Sequence, residues 1–226
     1  QSLKTIEAIK KRGFEVGVNI MYMSTLTADA PIFNNIHALN DLVDVFSLVD
    51  SYGGIYPDQV KKIVCRCKEV IKVPMGFHGH NNIELVFANS LAAVEAGCEY
   101  VDATVTGMGR GAGNLKTELL LTHLGTNCGW DVDFNVLSNV VGEFEKLREI
   151  YRWGTNLPYM VSGANSLPQK DVMDWVTKRY YSINSIIRAL HNQKNKEEDN
   201  LKLPVFTIRQ NHNRVLIVGG GPSVVE

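Results

Sequence analysis

Four short extended runs, each giving way to a helical segment, set the rhythm of the chain as far as about residue 125. The runs are FEVGVNIMYM (14–23), VDVFSLV (43–49), VPMGF (73–77) and YVDATV (100–105). Around them lie LKTIEAIKKR, closed by Gly13, PDQVKKIVCRCKEVI, opened by Pro57, and IELVFANSLAAVEA, closed by Gly97. Proline in the first turn and glycine just past the last are helix punctuation. Run starts recur at roughly 26 to 30 residues, the length of one βα unit. The runs are β-branched and almost continuously apolar, as strands covered on both faces must be. The alternation predicts a parallel sheet with right-handed helical crossovers. Hydrophobic residues at 45% supply enough core to offset chain entropy, which excludes disorder as the global state.

An open doubly wound sheet and a TIM-type (β/α)8 barrel both satisfy this rhythm. The polar residues favour the barrel. Asp50-Ser51, His78-Gly-His80-Asn81-Asn82 and Thr106-Gly-Met-Gly each follow the carboxyl end of a predicted strand. In a barrel those ends share one face, where ligands from several strands converge. Four units make only half a barrel, and half a barrel leaves two open sheet edges. The expected fold class is therefore α/β, a partial TIM (β/α)8 barrel, here over residues 1–128.

Beyond Gly129 the rhythm changes. Residues 131–153 carry apolar side chains at spacings of three and four and predict a long helix; 154–169 predict a loop; 170–193 predict another helix. Residues 129–192 are expected to be a helical extension of the barrel. The charge run KNKEEDN sits in an expected solvated linker, 193–213. The tail RVLIVGGGPSVVE (214–226) predicts a strand entering a Gly-rich turn, the start of a truncated Rossmann-like domain. Against G-x-G-x-x-G it offers Gly219 and Gly221 but Val224 in third place. With no initiator Met and an immediate helical pattern, the chain is expected to be a piece of a longer protein.

Lys and Arg number 23 against 24 Asp and Glu, so no general field gathers nucleic acid or coats an anionic membrane. No basic stripe interleaved with aromatics is present either. No apolar run approaches the roughly 20 residues that span a bilayer. The four cysteines set no disulfide framework, and Cys65-Arg-Cys67 lies on a helical pattern with no second pair to complete a zinc site. Ordinary thiols in a reducing, cytoplasmic setting are expected.

Three constellations carry chemistry. In G-F-H-G-H-N-N (76–82), positions i and i+2 of a strand project to the same side, so His78 and His80 can aim two imidazoles at one point. Two imidazoles suit a divalent transition ion but leave it short of ligands and charge, for which a carboxylate is the usual third partner. Two histidines at a strand end can equally be structural or surface groups. In T-G-M-G-R-G-A-G-N-L-K-T-E (106–118), four glycines permit unusual backbone and close approach, but the Lys-Ser/Thr of a phosphate loop is missing. A flexible loop over a barrel mouth, carrying Arg110 and Asn114, accounts for it. In L-V-D-S-Y-G-G (48–54), the Ser51 hydroxyl and a run of backbone N–H groups suit a carboxylate ligand, while a plain Asx-type turn at Asp50 explains the same residues.

In order and spacing, D-S-x-G-G, then G-x-H-x-H-N-N followed by A-N-S, then A-G-C-x-x-V-D-A-T-x-x-G-M-G-R-G-A-G-N, resembles the metal-dependent aldolase and lyase superfamily of (β/α)8 barrels. This HMGL-like group includes pyruvate carboxyltransferase domains, and the strongest likeness is to 4-hydroxy-2-oxovalerate aldolases. The likeness covers about residues 1–125. It implies that the chain holds barrel strands five to eight, with His78 and His80 as the imidazole ligands of Mn²⁺ or Mg²⁺. It implies further that Ser51 holds the carboxylate of a small 2-oxo acid, with Asn114 near the metal and Arg110 in the loop beside the substrate. The reaction implied is aldol cleavage of a 4-hydroxy-2-oxo acid through a metal-stabilised pyruvate enolate.

The family's Arg-Asp pair, whose Asp is the third metal ligand, and its catalytic histidine would both precede Gln1. No residue of this chain is therefore assigned a certain catalytic role, and the missing N-terminal half of the barrel becomes an expected partner. Neither Asp50 nor Asp102 replaces the missing carboxylate, because the family fills those positions for other reasons. Tyr159 is a stand-in for the family's C-terminal tyrosine motif. The isolated chain is expected to bind metal weakly and to be inactive, and the likeness leaves room for an oligomer. An acyl-CoA Claisen-type lyase or synthase on the same scaffold, and a non-catalytic binding module, are the competing readings.

Overall fold

The computed structural model describes residues 2–26, 36–178 and 181–197. Strands β1 (Gly17–Ile20), β2 (Val45–Asp50), β3 (Met75–Gly79) and β4 (Tyr100–Val101) form one parallel sheet in the order β1-β2-β3-β4. β1 and β4 lie inside their predicted runs, while β2 runs one residue and β3 two residues beyond theirs. Helix α1 (Ser2–Lys10) precedes β1, α2 (Pro57–Lys68) joins β2 to β3, α3 (Val86–Glu95) joins β3 to β4, and α4 (Thr117–Asn127) follows β4. Pro57 stands in the first turn of α2, where its missing N–H costs nothing. Gly97 follows α3 at φ +105, a backbone that side chains rarely adopt.

The register explains which side chains meet. Phe46 lies opposite Met75 and Leu48 opposite Phe77, and all four are buried with Val60, Val64, Ala92 and Ala93 beneath the crossover helices. The alternate positions face away from those helices. There Ser47 pairs with Gly76, and a Cβ on Gly76 would run into the Ser47 hydroxyl, with the Tyr100 Cβ 3.5 Å away. Val49 pairs with His78, which brings the histidine to the carboxyl end of the same face. Along the edge strand β1, side chains alternate between exposed and half-buried, and Tyr100 on β4 is 53% exposed. This is the α/β architecture expected, with half the strands of a barrel.

Helix α5 (Phe134–Tyr151) begins at Asp133, whose carboxylate accepts from the backbone of Asn135 at 2.9 Å and Val136 at 3.0 Å. The predicted loop 154–169 is corrected by helix α6 (Leu157–Ala164). The Asn156 side chain caps it by accepting from Tyr159 N at 3.1 Å, and Pro158 occupies its first turn, so residues that looked like breakers act as a helix start. The predicted helix 170–193 is two, α7 (Gln169–Lys178) and α8 (Ile183–Asn195), because Ser182 caps a new start by accepting from Ser185 N at 3.2 Å. Helix α8 also runs into the start of the charge run. The run from Glu198 onward and the tail with Gly219, Gly221 and Val224 lie outside the described residues.

Helices α6 to α8 close on a second core of Tyr159, Leu167, Val172, Ile186 and Leu190, to which the glycine loop contributes Ala112. The loop after β4 is thus keyed into the helices beyond the sheet. Among the described residues no helix is long and apolar enough to cross a membrane.

Candidate metal centre

His78 is the penultimate residue of β3 and His80 lies just past its end, and their ring centroids are 5.0 Å apart at an interplanar angle of 76°. The Nδ1 of His80 lies 2.8 Å from the carbonyl oxygen of Asp50. A carbonyl only accepts, so that nitrogen carries the proton and Nε2 keeps its lone pair. The Nδ1 of His78 lies 2.9 Å from Oδ2 of Asp102, which directs His78 the same way. Burial pushes the pKa of His80 below the ordinary imidazole value; the Asp50 carbonyl opposes this, and His78 and Arg110 add to it. A neutral ring with a free Nε2 is the form that binds metal.

Asn114 is brought to His80 by the backbone. The two residues form an isolated antiparallel bridge, and Asn81 N donates to Gly113 O at 3.0 Å. The Asn114 amide nitrogen donates to Met108 O at 3.0 Å, while its Oδ1 is buried without a hydrogen-bond partner. A buried oxygen acceptor left unpaired costs stability unless a ligand completes it. Two imidazole lone pairs and an orphaned amide oxygen are donor types that suit a divalent cation. Among the described residues no group of three or more His, Cys, Asp and Glu side chains could hold a metal. The donors here fit the ion but do not complete its charge.

The glycine loop is strapped rather than loose. Asn114 N donates to Gly107 O at 3.0 Å, Gly113 N to Arg110 O at 3.1 Å, and Gly154 N to Gly111 O at 3.0 Å. Gly113, at φ +80, lies so close to Gly107 O that no side chain fits, and a Cβ on Gly109 would come 2.6 Å from the Asn114 amide nitrogen. The glycines serve close approach around Asn114, not flexibility.

Ser51, His80 and Arg110 line one small cleft together with Asn82, Gly111 and Gln169. The Ser51 hydroxyl oxygen accepts from Tyr22 N at 2.8 Å, which leaves its own O–H to donate to a ligand. The expected run of free backbone N–H groups after it is corrected. The buried Asp50 carboxylate takes Gly53 N at 3.0 Å and Ile55 N at 3.3 Å in an Asx-type turn.

Two residues have roles that the sequence did not assign. Asp102, exposed but hydrogen-bonded to His78, orients that ring; the β3–β4 register, which pairs Phe77 with Val101, carries the signal. Asn82 is buried and ties the histidine segment to the helices beyond. Its Nδ2 donates to Tyr159 O at 3.1 Å and to Gln169 Oε1 at 2.8 Å, and its carbonyl accepts from the Thr155 hydroxyl at 2.6 Å. Tyr159, the expected stand-in, is buried beneath the glycine loop.

The HMGL-like family profile matches residues 1–150. A 4-hydroxy-2-oxovalerate aldolase of Carboxydothermus hydrogenoformans is 39% identical over 123 residues, which make up 53% of this chain and 35% of the relative. One of Thermomicrobium roseum is 46% identical over 92 residues, 39% of this chain and 26% of the relative. The chain thus spans about a quarter to a third of the curated relatives it matches. Among solved structures, the N-terminal domain of a putative aldolase from Bacteroides vulgatus superposes with a TM-score of 0.76 at 53% identity, covering 83% of this chain and 62% of that one. The carboxyl transferase domain of Rhizobium etli pyruvate carboxylase shares the fold, with a TM-score of 0.60 at 18% identity over 77% of this chain and 31% of that one. With two thirds of its length under one profile and its histidine pair at the carboxyl end of the third strand of a parallel half-barrel, the chain belongs to the HMGL-like family.

Proposed function

We propose that the chain provides the carboxyl-end half of the site of a divalent-metal-dependent aldolase acting on a 4-hydroxy-2-oxo acid. The observation that carries this is the shared tautomer of His78 and His80. Asp102 and the Asp50 carbonyl hold both rings by Nδ1, so both offer Nε2, and Asn114, whose Oδ1 is orphaned, is bridged to His80 through the backbone. When bound, a Mn²⁺ or Mg²⁺ ion supplies Lewis-acid stabilisation of the negative charge that develops on the keto oxygen as the C–C bond breaks. Ser51 then donates to the substrate carboxylate, and Arg110 lends positive charge to the same cleft. The strapped glycine loop holds Asn114 in register with His80. The two curated relatives described above are 4-hydroxy-2-oxovalerate aldolases by name, which supports that substrate class.

The remaining barrel strands and a third, charged ligand belong in this reading to sequence outside the chain. The sheet edges left open among the described residues and the greater length of the relatives support that placement. The test is exchange of the pyruvate methyl protons in D₂O by the complete protein with Mn²⁺, followed by pyruvate release from 4-hydroxy-2-oxovalerate. Both should be abolished by EDTA and restored by Mn²⁺, and His80→Ala should lower them by about a thousandfold. Metal-independent turnover, or turnover indifferent to His80, would overturn the proposal.

A further inference from the structure

Arg110 borders a second, larger space. Between the glycine loop, the end of α5 and the faces of α6 and α7 lies a cavity of about 650 Å³. That size is ordinary for a small-molecule site. It shares Arg110, Gly111 and Met173 with the cleft at His80, so the two spaces adjoin across a common wall. Gly111 makes the junction thin: at φ +58, a Cβ there would sit 3.2 Å from Met173 and 3.4 Å from the Tyr159 ring.

The charge in this cavity is one-sided. Arg110 and Arg152 line it, and no Asp or Glu does. Among the described residues neither guanidinium is paired with a carboxylate; Arg152 donates only to the Glu149 carbonyl, at 3.4 Å. Arg152 is also held in left-handed backbone at φ 56, where it ends α5. A bulky residue seldom accepts that conformation, which is found where surrounding structure or function demands it. The adjoining wall is fixed, because the buried Trp153 donates its indole N–H to Thr106 O at 3.0 Å.

We infer that this cavity is an anion subsite, in which Arg110 and Arg152 receive a carboxylate or phosphate on the aldehyde-derived end of the substrate. The inference rests on the aldolase reading above and narrows its substrate class from aldehydes in general to acidic ones. Two unpaired guanidiniums recognise a carboxylate or phosphate through charge-assisted hydrogen bonds, whereas a short neutral aldehyde would leave Arg152 unused.

The test is aldol addition of pyruvate by the complete protein with Mn²⁺ to propanal, succinic semialdehyde and glyceraldehyde 3-phosphate. At least one acidic aldehyde should exceed propanal in kcat/KM by about tenfold or more, and the better of the two identifies the anion. Arg152→Met should remove that advantage, leave propanal within about twofold and leave pyruvate proton exchange unchanged, while Arg152→Lys retains part of the preference. Equal use of all three aldehydes, or an equal loss on all three in Arg152→Met, would overturn the subsite. Failure of pyruvate exchange in the unaltered protein sinks the aldolase reading instead. The subsite is then decided by titrating glutarate and glycerol 3-phosphate against tryptophan fluorescence. Binding weakened about tenfold by Arg152→Met sustains it, and absent or unaffected binding ends it.

Discussion

The imidazole of His80 is fastened to the backbone of the neighbouring strand: its Nδ1 donates to the Asp50 carbonyl oxygen, 2.8 Å from nitrogen to oxygen. This single bond orients the ring, selects its tautomer and couples it to the strand that ends in Asp50-Ser51. Ring geometry at this centre is therefore set by sheet pairing, since β2 and β3 run in register from Phe46–Met75 to Asp50–Gly79. His78 depends instead on one exposed side chain, Asp102.

That contrast gives the first prediction. Asp102→Ala should weaken Mn²⁺ binding by about 10- to 100-fold, the usual effect of removing a group that orients a ligand histidine. Stability should move by less than about 0.5 kcal/mol, because Asp102 is exposed. Calorimetric Mn²⁺ titration and urea unfolding measure the two; undiminished affinity would show that His78 needs no such support.

Stability should carry an acid-side signature of Asp50. Burial pushes its carboxyl up to about 6, above the roughly 3.9 of an unfolded Asp. Between those values the folded protein binds the proton more tightly than the unfolded chain, so this group makes stability fall as pH rises from about 4 to about 6. The swing is about 3 kcal/mol. Asp44 acts with the opposite sign: its hydrogen bond from Lys10 holds its carboxyl below the ordinary value, so its contribution is lost as pH falls. Unfolding of the protein and of Asp50→Asn between pH 4 and 7 separates the two, since the variant should gain relative to the parent as pH rises. A pH-independent difference would refute it.

Thiol reactivity should divide two and two. Cys67 and Cys98 are buried and burial pushes both thiols up to about 12, whereas Cys65 and Cys128 are exposed. Iodoacetamide at pH 8 should label Cys65 and Cys128 in the folded protein and all four only after denaturation, as read by peptide mass spectrometry. Rapid native labelling of Cys67 would contradict the packing of α2.

Asn82→Ala should cost about 1–3 kcal/mol, because it removes the amide donor to Gln169 Oε1 and Tyr159 O and leaves the single Ser162 hydroxyl proton to serve both. The cavity lined by Arg152 depends on α6 and α7 seating against Asn82, so the variant should lose selectivity among aldehydes more than it loses pyruvate exchange. An equal loss of both would place Asn82 in the metal centre itself.

The strands, their parallel order and the histidine pair were legible in the sequence, because period and punctuation are local properties and i, i+2 spacing on a strand places side chains on one face without further information. The glycine cluster was legible as a loop, but its tightness was not, since that depends on where Gly107 and Gly113 meet. Helix α6 was hidden because Pro158 and Asn156 end a helix in one context and begin one in another. The partnership of Asp102 with His78, the unpaired oxygen of Asn114 and the hub at Asn82 belong to tertiary structure alone. Each joins residues from 6 to 87 positions apart, and only the packing of β3, the loop and α6–α7 decides which donor meets which acceptor.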